Sequence, residues 1–195
     1  MKIIVVLLFL AVISILIIRK KSVTAQPLQS IDDGTQAHSQ LDSFYLEMRS
    51  MALNTSADDL QLEYPSNSLQ VYGVVMDINM GEGIGTLVAF LSGDASLYYS
   101  TGGAIIGGFE HPTVKAATKQ FVSKVQTKAR PATETDLTRL PESGEVTFYF
   151  LTGKGKRRLS EKLQNIEHGK TPVSDLFDAA NEVITELRLI SESKK

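Results

Sequence analysis

The chain has 195 residues, no Cys, and 20 Lys and Arg against 22 Asp and Glu. Such a length suits one hydrophobic core, and the lack of Cys excludes a disulfide framework, a thiolate metal centre and a cysteine nucleophile. The first 21 residues hold four cations (Lys2, Arg19, Lys20, Lys21) and no carboxylate, so 20 less 4 leaves 16 basic against 22 acidic residues, a net charge of about −6, which excludes a sequence-independent nucleic-acid binder.

Residues 3–18 read IIVVLLFLAVISILII, with the Ser14 hydroxyl as the only polar side-chain group. As a helix this run covers about 24 Å, and Lys2 and Arg19 can snorkel to close the gap to a bilayer of roughly 30 Å. The expectation is a transmembrane anchor over residues 1–21. The flanking Arg19, Lys20 and Lys21 hold the following chain in the cytoplasm and can touch lipid headgroups. The alternative is export after signal-peptide cleavage at Ala25, because Val23-Thr24-Ala25 fits the small-residue pattern. Residues 22–38 are polar, carry Pro27 and Gly34, and read as a flexible tether.

Order is expected over residues 39–190, as a single α+β domain, with a disordered tail at 191–195. Ser39 and Asp42 have capping-box spacing, and Leu41, Phe44, Tyr45, Met48, Met51 and Ala52 follow on one helical face ending near Leu53. After a connector with Pro65, Val71, Gly73, Val75 and Asp77 alternate with Tyr72, Val74, Met76 and Ile78, which is strand periodicity with one wholly apolar face. Residues 86–91 and 95–100 form two further strands. The short turns between them imply an antiparallel meander, since parallel pairing needs a longer crossover. Pro112 suits the first turn of a helix that buries Val114, Ala117, Phe121 and Val125. Residues 127–144 carry Pro131 and Pro141 and read as an exposed crossing loop or a weakly ordered insertion, and 145–152 (EVTFYFLT) as a central strand in the same sheet. Thr171-Pro172 opens a closing helix with Val173, Leu176, Phe177, Ala180, Val183, Ile184 and Leu187 on its apolar stripe.

Eight of the 14 glycines lie between residues 81 and 108, so the backbone there turns sharply or approaches something closely. Ser100, Thr101, Gly102, Gly103, Gly107, Gly108 and His111 form a glycine-rich junction before a helix. Its amides are candidate anion or small-ligand donors, while the structural alternative is that paired glycines bend the chain and tuck Ile105 and Ile106 inward. No P-loop, dinucleotide fingerprint or nucleophile elbow is present, and His38, His111 and His168 lack metal spacing, so no catalytic residue, metal or cofactor is assigned. Lys154, Lys156, Arg157 and Arg158 place four cations in five residues, a second candidate for the membrane surface or else a solvated turn.

The stretches VYGVVMDINMGEGIGTLVAFLSGDASLYYSTGGAIIGGFEHPTVKAA and TPVSDLFDAANEVITELRLI resemble a bacterial protein family without an assigned activity. The resemblance rests on Ser96-Leu97-Tyr98, Ser100, Gly102-Gly103, Ile106-Gly107-Gly108 and His111, with Phe109 where a smaller residue is more usual. It implies kinship over residues 39–190 and no particular reaction. The layout of helix, three strands, helix, strand, helix is also similar to the profilin, longin and roadblock group of small folds. Taken together, these features imply a membrane-tethered, noncatalytic interaction domain that binds another protein. The alternative is a small-ligand or anion-binding sensor or enzyme with its site at the Gly102–His111 junction.

Overall fold

The computed structural model describes residues 41–65, 67–169 and 171–193. The chain begins with α1 (Ser43–Asn54). The Asp42 carboxylate caps this helix by accepting from the Tyr45 amide at 3.1 Å, so Asp42 is itself the N-cap rather than the third residue of a capping box begun by Ser39. The meander follows as β1 (Val71–Asn79), β2 (Ile84–Phe90), β3 (Ala95–Tyr99) and β4 (Ala104–Ile105). A 3-10 turn (Gly108–Glu110) leads into α2 (Pro112–Ala129). The chain then forms β5 (Thr133–Glu134), β6 (Glu145–Thr152), β7 (Gly155–Lys162), the short α3 (Leu163–Glu167) and α4 (Ser174–Glu192).

All seven strands join one antiparallel sheet in the order β4-β3-β2-β1-β6-β7-β5. β1 and β6 lie side by side at its centre, which explains why neither carries a polar face: both sides are covered. On one face α2 and α4 pack over Val74, Met76, Leu87, Leu97, Phe148 and Phe150. On the other, α1 covers Val75, Val88, Tyr98, Tyr149 and Leu151. The expected strict alternation along β1 fails at its start. A register shift between Val71 and Gly73 turns Val71 toward the α2/α4 face and Tyr72 toward α1. The Gln126 side chain fills this irregularity, accepting from the Val71 amide at 2.9 Å and donating to its carbonyl at 2.8 Å.

The fold expected from the sequence needs two corrections. First, the sheet has seven strands rather than a meander plus one, because the basic segment after β6 is a strand and two short edge strands flank the ends. Second, the fold class carries no transmembrane element here: among the described residues no helix is long and apolar enough to cross a membrane. The long helices α2 and α4 are apolar on one side only, and each exposes a charged side to solvent. The anchor, its Arg19-Lys20-Lys21 flank and the tether all fall within residues 1–38, outside the described residues. What remains is the α+β domain alone. Tethering, bilayer contact and a single-pass topology are removed from the functional reading, and neither address, cytoplasmic or exported, follows.

Candidate functional site

The glycine-rich junction is built as a turn. Gly102 and Gly103 both hold positive φ, near +100° and +97°, a region open to glycine at no steric cost. The Gly102 amide donates to the Tyr99 carbonyl at 3.0 Å, and the Tyr99 amide donates to the Gly103 carbonyl at 3.1 Å. The Ser100 hydroxyl is buried and accepts from the Ile84 amide at 2.8 Å. Thr101 is exposed, and His111 is half-buried at the start of α2 without capping it. Ile105 packs toward the α2/α4 core and Ile106 toward the α1 core, so the chain here pins both faces of the sheet. Gly108 is required for packing. A Cβ there would lie 2.6 Å from Val114 Cγ1 and 3.0 Å from the Ala95 carbonyl oxygen. The Gly102 amide and the Ser100 hydroxyl, two of the polar groups a ligand would need, are already used inside the turn, and with nothing at this junction marking a ligand site the ligand-site alternative is withdrawn.

The second candidate, the cationic run, is split by the strand it belongs to. Arg157 turns inward and closes the C-terminus of α2: its Nε donates to the Ala129 carbonyl at 2.8 Å, and its NH2 donates to the carbonyls of Arg130 and Ala132. It also pairs with Glu134 at 3.7 Å. Arg158 pairs with Glu145 of the neighbouring β6 at 3.2 Å. Lys154 stands exposed at the β6–β7 turn and Lys156 is half-buried. Two of the four cations therefore serve the fold, and the run is not a flat basic surface.

The most polar constellation in the core is one that sequence reasoning missed. Arg49, on the inner face of α1, meets Asp77 in the middle of β1, and Asp77 is wholly buried. Arg49 Nε donates to both carboxylate oxygens at 3.1 and 2.9 Å, and NH2 donates to Oδ2 at 2.5 Å. The Thr86 hydroxyl donates to Asp77 at 2.6 Å and shares a 2.9 Å hydrogen bond with the Tyr45 hydroxyl. The guanidinium also lies 5.6 Å from the centre of the Tyr149 ring. Burial, with the Asp77 charge added, pushes the Tyr45 phenol up to about 12. For Arg49, burial works against the charge, but the bonds and charge of Asp77 prevail and hold it protonated more firmly than usual. Every named member is partnered, which makes the cluster a fastener and not an open acid–base pair. Its signal was present in the sequence, as one Asp inside an apolar strand and one Arg four residues after Tyr45 within the apolar stripe.

The surface offers one groove of a different character. α2 and α4 lie antiparallel: Lys128 near the end of α2 donates to the Pro172 carbonyl at 2.6 Å and pairs with Asp175 at the start of α4 at 3.7 Å. Between them runs a partly open cavity of about 390 Å³. Ala116, Ala117 and Ala179 are among its lining, with Asp178, Glu182 and Glu186 from α4 and Thr113, Gln120 and Lys124 from α2. No group of His, Cys, Asp and Glu able to hold a metal ion is found among the described residues.

No protein-family model, no curated protein and no solved structure matches this chain.

Proposed function

We propose that the folded domain is a docking module that takes a positively charged segment of another polypeptide along the groove between α2 and α4. The observation that carries this reading is the arrangement of the groove itself. Asp178, Glu182 and Glu186 recur at helical spacing along the α4 wall, and the alanines Ala116, Ala117 and Ala179 leave room between the helices. A segment bearing Lys or Arg at the same helical spacing would set its charges against that wall and its small or apolar residues against the alanines. The net negative charge beyond residue 21 supports attraction of such a segment at a distance of about one Debye length, roughly 10 Å at 0.1 M salt.

A synthetic amphipathic peptide of Lys and Leu serves as the probe. On titration into isotopically labelled full-length protein, amide shifts should concentrate at residues 113–124 and 178–186 and weaken as salt is raised. Ala116→Trp, which fills the groove from an exposed position, and the charge reversal Glu182→Lys should each remove the effect. Shifts that scatter over the surface, or that persist in Ala116→Trp, would refute the reading.

A further inference from the structure

We infer that the segment from Thr135 to Ser143 is a latched strap that opens as a unit over the α1 face while the sheet beneath stays folded. Between β5 and β6 the chain leaves the sheet and runs beside α1, with Asp136, Leu137, Arg139, Glu142 and Ser143 exposed. Three side chains outside the strap hold it by its own carbonyls. Arg49 NH1 donates to Thr138 at 2.8 Å and NH2 to Arg139 at 3.3 Å. The Tyr149 hydroxyl donates to the same Arg139 carbonyl at 2.6 Å, and Asn79 Nδ2 donates to Pro141 at 2.9 Å. Leu140 adds a half-buried apolar contact against the α1 core.

This attachment is separable from the rest of the fold for a geometric reason. Arg49 spends Nε and one NH2 bond on Asp77, so the ion pair stays bidentate when the strap carbonyls leave. Opening breaks a handful of bonds to main-chain carbonyls and uncovers the buried Pro141 and the half-buried Leu140, whereas unfolding the sheet breaks both cores. Such a segment belongs to the low-stability end of a domain's local openings. The opened state presents Arg49 NH1 and the Tyr149 hydroxyl, two donors that the closed strap occupies with its own backbone.

Trypsin reads the opening directly. Arg139–Leu140 is the tryptic bond of the strap, since Arg139 is the one Lys or Arg between Thr135 and Ser143. In native buffer the full-length protein should be cut at Arg139–Leu140 at a rate that low denaturant alters far less than it alters global unfolding, because opening exposes one strap and not both cores. Tyr149→Phe should speed that cut about fivefold through loss of one hydrogen bond. Val183→Ala, in the opposite core, should lower global stability yet leave the rate unchanged, with Val125→Ala as a second core variant. If the core variants accelerate cleavage by the same factor as global unfolding, or if the bond is cut only where the whole domain unfolds, the strap does not open separately and the inference fails.

Discussion

At the scale of single residues, the decisive feature is a charge pair sunk between α1 and β1. Removing two charges from water costs several kcal/mol per ion, and the pair offsets this through its bidentate geometry, with Thr86 and the Tyr149 ring completing the environment around it. Breaking it from one side should therefore cost far more than replacing it. We predict that Asp77→Asn and Arg49→Met each lower unfolding free energy by about 3–5 kcal/mol, since each leaves a buried group uncompensated. The double variant Arg49→Met with Asp77→Leu should recover much of that loss. Chemical denaturation of the four members of the cycle measures it, and strictly additive losses would show that the two side chains do not act as a pair. The strand periodicity of β1 was legible, but the partner of Asp77 was not. Arg49 is 28 positions away, and no local pattern specifies which charged residue a helix will lay over which strand.

At the scale of elements, β7 shows how a segment's environment overrides its composition. Its sequence GKRRLSEK has one apolar residue, Leu159, and reads locally as a charged turn. It is a strand because β6 presents a full edge to which it pairs from Glu145↔Lys162 to Thr152↔Gly155, and because Arg157 is drawn to the carbonyls that the end of α2 leaves without intrahelical partners. From this follows a contrast between neighbours. Arg157→Ala should destabilise the domain by about 1–3 kcal/mol through the loss of bonds from a charged donor to the helix end. Lys154→Ala, at the exposed turn, should stay within about 0.5 kcal/mol of the parent. Thermal unfolding of the two variants separates them, and equal effects would mean that Arg157 is no cap. The helices were easier to read. α2 and α4 each place one side against the sheet, so their 3.6-residue period survives in the sequence.

At the scale of the whole molecule, the titrating groups bound the pH range of stability from both sides. The Ser56 hydroxyl and amide hold the Asp59 carboxyl below its ordinary value, and Asn165 and the Lys162 amide do the same for Glu161. Burial opposes the Glu145 charge, yet the Glu142 amide, Ser160 and Arg158 leave its pKa lowered as well. Carboxylates with lowered folded values stabilise the domain above their unfolded pKa, and that stability is lost as pH falls through the folded values. On the alkaline side the sign reverses. Tyr45 keeps its proton to about 12 in the folded domain against an ordinary value of 10.0, and burial with the neighbouring Tyr72 does the same for Tyr64. Above pH 10 the unfolded chain has released protons that the folded one retains, so stability should decline between pH 10 and about 12. Melting temperature followed across both limits tests this, and Tyr45→Phe should flatten the alkaline decline. An unchanged alkaline limb in that variant would remove Tyr45 as its source.

What the amino-acid sequence determined by itself were the local periodicities: three helices with one apolar side, the strands of a meander, a central strand apolar on both faces, and a glycine-rich bend. Each follows from side-chain spacing within a few residues, where backbone geometry alone decides which positions share a face. Tertiary structure alone decided that the basic run is an inner-sheet strand closing a helix end, that Arg49 finds Asp77, and that the crossing loop lies strapped to Arg49, Tyr149 and Asn79. It also decided that α2 and α4 run antiparallel with an acidic groove between them. These outcomes depend on which distant groups must satisfy one another once water is excluded, a condition imposed by the assembled core and not by any stretch of neighbouring residues.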